Sequence, residues 1–413
     1  MSKSRVAERI NLLVLLIVVG VVALGQLQRV QLTPQVSFYI HDALIGGWVI
    51  YHLVEGGGKK LLKQMREWGR KYRRIIGAGG VIILAGYIGA LLTGTLALTA
   101  LLYLGRLVVY GLFGYFLWQI KLPQKKYLFP LLGGWFLMGG LAQYILVPDM
   151  TWLKPMGWDD HYGRLVGTLW DPAFIGLILV WLLLYLLEKI KINLISFSLI
   201  IITLIAILLT YSRSSFLALG VGGVVLGWQR FGEQIKKHKK RAALIVAGVG
   251  VVFAGMLAAI NRGEMVSTNL LRKESIEVRL VHLQKYTFNL EPHQWLVGRG
   301  LFITTGGWDR ERYPHLLDDG QSVKQTAYMG DNMFLTVLNF TGVGGLGLFV
   351  YVLVKVIKKM MREKPELLPF VAAWMAVGQF NNALLAPFVV VTFIFLPPSQ
   401  RPNQVLSAKK KPI

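Results

Sequence analysis

The chain has 413 residues, 54% of them hydrophobic, a mean hydropathy of +0.52, a formal net charge of +24 and no cysteine. Soluble domains run to roughly 45–50% apolar, and here the apolar residues fall in runs of about 17–23, long enough to cross a ~30 Å hydrocarbon core as helix. The missing cysteine excludes disulfides and thiolate metal sites, and the placement of the basic residues, traced below, argues against a nucleic-acid-binding domain.

Taken in order, the apolar runs predict twelve spans near 10–28, 37–54, 75–94, 97–119, 128–147, 167–187, 194–211, 214–229, 242–260, 333–355, 367–382 and 384–397. The last two are short and read equally as one broken or re-entrant segment. Lys3, Arg5 and Arg9 ahead of the first run resemble a signal peptide, but no A-x-A site follows, so an uncleaved first helix is expected. Between the second and third spans, Leu61, Leu62, Met65, Trp68 and Tyr72 recur at helical spacing among cations. This pattern suits an interfacial helix on anionic headgroups or a solvated basic linker.

Arg106 falls inside the fourth span. An intramembrane ionisable residue is a functional candidate by default, and a contact to a backbone carbonyl is the structural alternative. The polar loop 148–166 carries Asp159, Asp160 and His161, weak as a metal set, and Gly163-Arg164, a further anion contact. Asp171-Pro172 reads as N-cap and first residue of a helix. At Thr210-Tyr211-Ser212-Arg213-Ser214-Ser215, Ser212 or Ser214 can cap the eighth span. A guanidinium beside a helix N-terminus makes a compact anion site. Alternatively, Arg213 is an interfacial cation that stops the seventh span.

Residues 261–331 break the apolar pattern with nine Lys/Arg and nine Asp/Glu. A helix is expected over 275–290, with Arg279 and His282 three residues apart on one face and Pro292 ending it. Arg279 can equally be a solvated charge pairing with Glu274 or Glu277. Gly298-Arg299-Gly300 marks a turn, and Trp295, Phe302 and Trp308 suit interface anchoring or a sugar groove. Gly330-Asp331-Asn332 opens the tenth span, with Asp331 as N-cap or as a carboxylate accepting a proton from a hydroxyl. Gly342, Gly344 and Gly345 in that span allow close packing.

The cations cluster at 59–74, 236–241, 355–364 and 409–411, all on one side if the spans alternate. The positive-inside rule then puts both termini in the cytoplasm and the neutral loop 261–331 outside. The expected organisation is one polytopic domain over 1–397, with outer loops 148–166 and 261–331, and a disordered basic cytoplasmic tail over 398–413.

The layout and several local patterns resemble the bacterial O-antigen ligase and O-antigen polymerase superfamily over most of the chain. They are Gly167-Thr168-Leu169-Trp170-Asp171-Pro172 entering a span, Ser212-Arg213-Ser214 opening another, Arg279 with Pro292 and Gly298-x-Gly300 in the outer loop, and Asn332 followed by Gly342-Val343-Gly344-Gly345. The resemblance implies an all-α, glycosyltransferase C-type-like membrane fold in a bacterial inner membrane. It implies transfer of a glycan from undecaprenyl pyrophosphate to a glycan or lipid A–core hydroxyl at the periplasmic face.

By match, Arg213 and Arg279 hold the donor pyrophosphate, with Arg164, Asn332 and His282 as further substrate contacts. The family commonly has His-Asn where this chain has Asp331-Asn332, which leaves Asp331, His282, His293 or His315 to act as base. No metal, no cofactor and no nucleic-acid partner are expected; membrane lipids are. A transporter or lipid-linked glycan flippase is the alternative, and charged residues along a central path would mark it. A non-catalytic assembly protein is a third reading.

Overall fold

The computed structural model describes residues 3–33, 36–92, 98–156, 158, 161–189, 193–238, 240, 255, 258, 268–270, 290–301 and 332–396. The expected span 242–260 lies almost wholly outside them. So do the helix expected over 275–290, residues 302–331, and the tail 398–413, and with them Arg279, His282, His315 and Asp331.

Every other expected span carries a helix. In chain order these are α1 (Lys3–Ala23), α2 (Ile40–His52), α3 (Gly58–Lys71), α4 (Arg73–Leu92), α5 (Leu98–Gln119), α6 (Leu128–Leu146), α7 (Pro172–Lys189), α8 (Leu194–Leu209) and α9 (Arg213–Lys237). Further along come α10 (Pro292–Val297), α11 (Met333–Glu363), α12 (Leu368–Gly378) and α13 (Pro387–Ile394). Among the described residues four helices are long and apolar enough to cross a membrane: Arg5–Ala23, Leu101–Gln119, Pro123–Leu146 and Met333–Glu363. The bent pair formed by α3 and α4 makes a fifth if taken as one span. Several expected spans are thus shorter than the apolar runs suggested. The 16 residues of α8 cover only ~24 Å, and the last two segments are separate short helices.

The burial pattern is that of a membrane bundle. Ile175 and Leu177 to Trp181 in α7 are all fully buried. A helix apolar and covered on every side is a central one. The helices around it turn large apolar side chains outward, such as Ile145, Leu146, Leu194 and Ile195. Those faces suit hydrocarbon, not water.

Two features depart from the sequence reading. The segment before α2 is a hairpin of β1 (Arg29–Thr33) and β2 (Val36–Tyr39), pairing Arg29 with Tyr39 and irregular between Gln31 and Thr33. The expected start of the second span at 37 is therefore strand, and helix begins at Ile40. The sixth span likewise starts late: Gly167–Leu169 is a 3-10 turn, and Trp170 sits at φ +56° before Asp171 caps α7 through the backbone N–H groups of Ala173 and Phe174 (2.7 and 3.1 Å). The end of α1 docks on that turn, where the Thr168 hydroxyl donates to the Ala23 carbonyl at 2.8 Å.

α11 is interrupted at Gly342 (φ 68°, ψ −173°), a conformation that favours glycine. The break removes the helical partner of the Asn339 carbonyl, and the Arg299 N–H supplies another at 2.7 Å. Segment 295–301 thereby lies against the break. A Cβ on Gly298 would collide with Phe340 and Thr341, and one on Gly342 with Leu296. On its other side the Leu301 N–H donates to the Gly86 carbonyl of α4 at 3.2 Å.

Candidate functional site

α8 ends at Leu209 and α9 begins at Arg213, so three residues must reverse the chain. Tyr211 takes φ +49°, rare for a side chain of its size. Ser212 is the N-cap: its Oγ accepts from the Ser215 N–H at 3.3 Å and from the Ser215 hydroxyl at 2.9 Å, and lies 3.1 Å from the Ser214 hydroxyl. Of the two serines proposed from sequence, Ser212 caps.

Arg164 holds this turn from beneath. It is 3% exposed, and its Nε and one terminal nitrogen donate to the Thr210 and Tyr211 carbonyls at 3.0 and 3.2 Å. The Leu165 N–H adds a bond to the Leu209 carbonyl at 2.9 Å. Gln143 of α6 secures the loop behind, its Oε1 accepting from the Val166 and Gly167 N–H groups at 2.9 and 3.0 Å. The other end of this loop is pinned by an Asp149–Tyr162 bridge. The Thr151 hydroxyl and N–H hold the Asp149 carboxyl below the usual carboxylate range. Arg164, read from the sequence as a further anion contact, thus meets two backbone carbonyls of the turn through its Nε and one terminal nitrogen. His161 of the same loop is 3% exposed; Asp159 and Asp160 lie outside the described residues.

Arg213, the first residue of α9, is partly buried and donates to the Leu270 carbonyl at 3.4 Å, in the polar segment 261–331. Asn332 caps α11, its Oδ1 accepting from the Phe334 and Leu335 N–H groups at 2.8 and 3.1 Å. The sequence had pointed to Asp331 for this cap. Asn332 does it, and its Nδ2 donates at the same time to the Gln379 carbonyl at 3.0 Å, which a carboxylate could not do. Asn381, just past α12, donates to the Ser214 hydroxyl at 3.5 Å. The N-termini of α9 and α11 and the C-terminus of α12 thus meet in one place. The two helix N-termini and the guanidinium contribute positive charge there and the end of α12 an opposing negative partial charge.

Sequence reasoning missed Gln143, Asn381 and Arg299. The first two had a signal, as amides in otherwise apolar helical runs. Arg299 read as the middle of a turn, which it is, but the turn carries it to 7% exposure, with its Nε donating to the Gln294 Oε1 at 3.3 Å. His293 stays at the surface, 3.4 Å from the Glu291 carboxylate.

Arg106 has the partner that the sequence did not show. It forms a 2.7 Å ion pair with Asp42 and a 3.2 Å bond to the Ser37 carbonyl. Its guanidinium also lies 5.3 Å from the ring centres of both Tyr39 and Tyr103. The Tyr110 hydroxyl donates to the other Asp42 oxygen at 2.5 Å, and His41 Nε2 lies 2.9 Å from that hydroxyl.

No curated protein and no solved structure shows a significant match to the chain. A family model does match: residues 197–350 fit the one described as O-antigen ligase. The matched stretch runs from α8 to beyond the break in α11 and contains Arg213, Arg279, Asp331 and Asn332. The family indicates glycan transfer of the ligase or polymerase type on lipid-linked substrates. Together with the apolar helices, this match over rather more than a third of the chain supports a membrane protein similar to the O-antigen ligase and O-antigen polymerase superfamily.

Proposed function

We propose that the protein moves a glycan from undecaprenyl pyrophosphate to a hydroxyl acceptor, either lipid A–core or another lipid-linked glycan, at the periplasmic face of the inner membrane. The observation that carries this reading is Arg213 on the first turn of α9, a helix start that, like that of α11, is tied to the end of α12. In such a transfer the acceptor oxygen attacks the anomeric carbon as the bond to the pyrophosphate oxygen breaks. The acceptor proton passes to a base, and polyprenyl pyrophosphate leaves as a stable anion. Fixed positive charge at the leaving group is the chief requirement.

Arg213 and Arg279 supply that charge in this proposal, with the helix N-termini as fixed partial charges and no metal. Asn332 holds the entry to α11, and Asp331, its neighbour in sequence, is the proposed base. Arg164 acts through the 210–211 turn. His282 is an additional substrate contact.

The test is transfer by purified protein in liposomes from an undecaprenyl-pyrophosphate oligosaccharide, with EDTA present. Arg213→Ala and Arg279→Ala are each expected to lower the rate by about 100-fold or more, the scale of removing one fixed stabiliser of transition-state charge. Asp331→Asn is expected to lose most activity while still binding donor. Product length separates polymerase from ligase. Lipid movement between leaflets with no transfer to any acceptor would favour the flippase instead.

A further inference from the structure

At the end of the bundle opposite Arg213, α3 leaves α4 at an angle of 96°. Since α4 runs along the bundle, α3 lies across its end, in the orientation of the membrane surface. Leu61 is buried in the bundle, and Gln64 accepts a hydrogen bond from the Tyr115 hydroxyl near the end of α5. One side of the helix is thus anchored. Leu62 and Met65, next to that side, are 60% and 54% exposed. Lys59, Lys63, Arg66 and Arg70 recur at spacings of three and four residues on the far side and are exposed. The 14 residues carry six cations and one acid, Glu67. The same end holds Lys359, whose amine lies 4.2 Å from the Tyr72 ring centre, and Lys364, 4.6 Å from that of Trp118.

We infer that α3 is a lipid-binding helix that seats Leu62 and Met65 in the acyl boundary of the leaflet at this end and binds anionic phospholipid headgroups through Lys59, Lys63, Arg66 and Arg70. Charge selects the ligand: a phosphodiester headgroup complements a basic row, and apolar side chains beside that row need hydrocarbon. The long cationic side chains reach headgroups while their stems lie on the apolar boundary. This inference does not depend on the glycan-transfer reading, since α3 lies outside the family match.

The chain has no cysteine, so single-cysteine variants of the full-length protein need no background removed. Leu62→Cys and Arg66→Cys are labelled with an environment-sensitive fluorophore and reconstituted in phosphatidylcholine vesicles, with and without phosphatidylglycerol. The label at position 62 is expected to be quenched by acyl-chain spin-labelled lipid, and the label at 66 by an aqueous quencher. A variant with Lys59, Lys63, Arg66 and Arg70 all changed to Gln is expected to lose at least about fivefold in preference for spin-labelled phosphatidylglycerol over phosphatidylcholine.

Water-exposed label at 62 in both vesicles would overturn the inference, as would an unchanged lipid preference in the fourfold variant. Protection of position 62 only in native membranes would overturn it in favour of a protein partner. Because Leu62→Cys removes no charge, its depth is informative even if the fourfold variant folds poorly.

Discussion

Two arginines within this bundle, one buried and one partly buried, are held in opposite ways. Arg106 meets a carboxylate, and Asp42 is itself saturated by the Tyr39 N–H, the Tyr110 hydroxyl and the guanidinium. Arg164 meets two carbonyls at the turn that delivers Arg213. A carboxylate cancels a formal charge; carbonyl dipoles only orient it. The first arrangement fastens the β1–β2 hairpin and the start of α2 to α5. The second keeps cationic groups close to the site where an anion is expected. Position inside a membrane bundle thus says little about an arginine's role until its partner is known.

The sharpest way to break the contrast is to unpair Asp42. Arg106→Met leaves a largely but not fully buried carboxylate without its ion, and a loss of up to about 3 kcal/mol in stability is expected. The double variant Asp42→Asn with Arg106→Met should recover a large part of it, read as thermal unfolding in detergent. Transfer per folded molecule should be unchanged in both. If transfer falls in the double variant while stability returns, Arg106 is functional and the contrast fails.

Arg164→Lys tests the other side. It keeps the charge but loses the planar fork, so one of the two carbonyls is left without its donor at a cost of about 1–3 kcal/mol. Because the turn carries Arg213, transfer should drop with stability, unlike at Arg106. A lysine variant with normal transfer would remove Arg164 from the positioning role. The smallest expected effect is at Asn332. Asn332→Asp keeps the cap but cannot donate to the Gln379 carbonyl, whereas Asn332→Ala loses both, about 1 kcal/mol for the cap alone. Equal stability of the two variants would show that the link to α12, not the cap, is what Asn332 provides.

Features with local causes were legible in the sequence. Asp171-Pro172 and Ser212 announced their helices because capping involves groups two or three residues apart. The apolar runs announced the helices but overstated several lengths, since hydropathy does not distinguish helix from an apolar 3-10 turn or hairpin. Gly298 and Gly342 were visible as glycines, yet nothing in the sequence joined them. Their meeting closes a contact across more than forty residues, as does that of Asp42 with Arg106 across more than sixty. Of the site, Arg213 and Asn332 could be found as cations or caps at helix starts. Gln379 and Asn381 take part only because α12 returns its end to the same place.

The break at Gly342 divides α11 into two rods with different attachments. The first rod begins at Asn332, and three of its side chains, Thr336, Asn339 and Thr341, bond back to carbonyls of the preceding turn. Its freed carbonyl belongs to the Arg299 N–H of a neighbouring segment, whereas the second rod runs on to the basic end of the bundle. Any displacement of segment 295–301 therefore bears on the first rod, and so on Asn332, through a joint one residue wide, without having to tilt the whole helix.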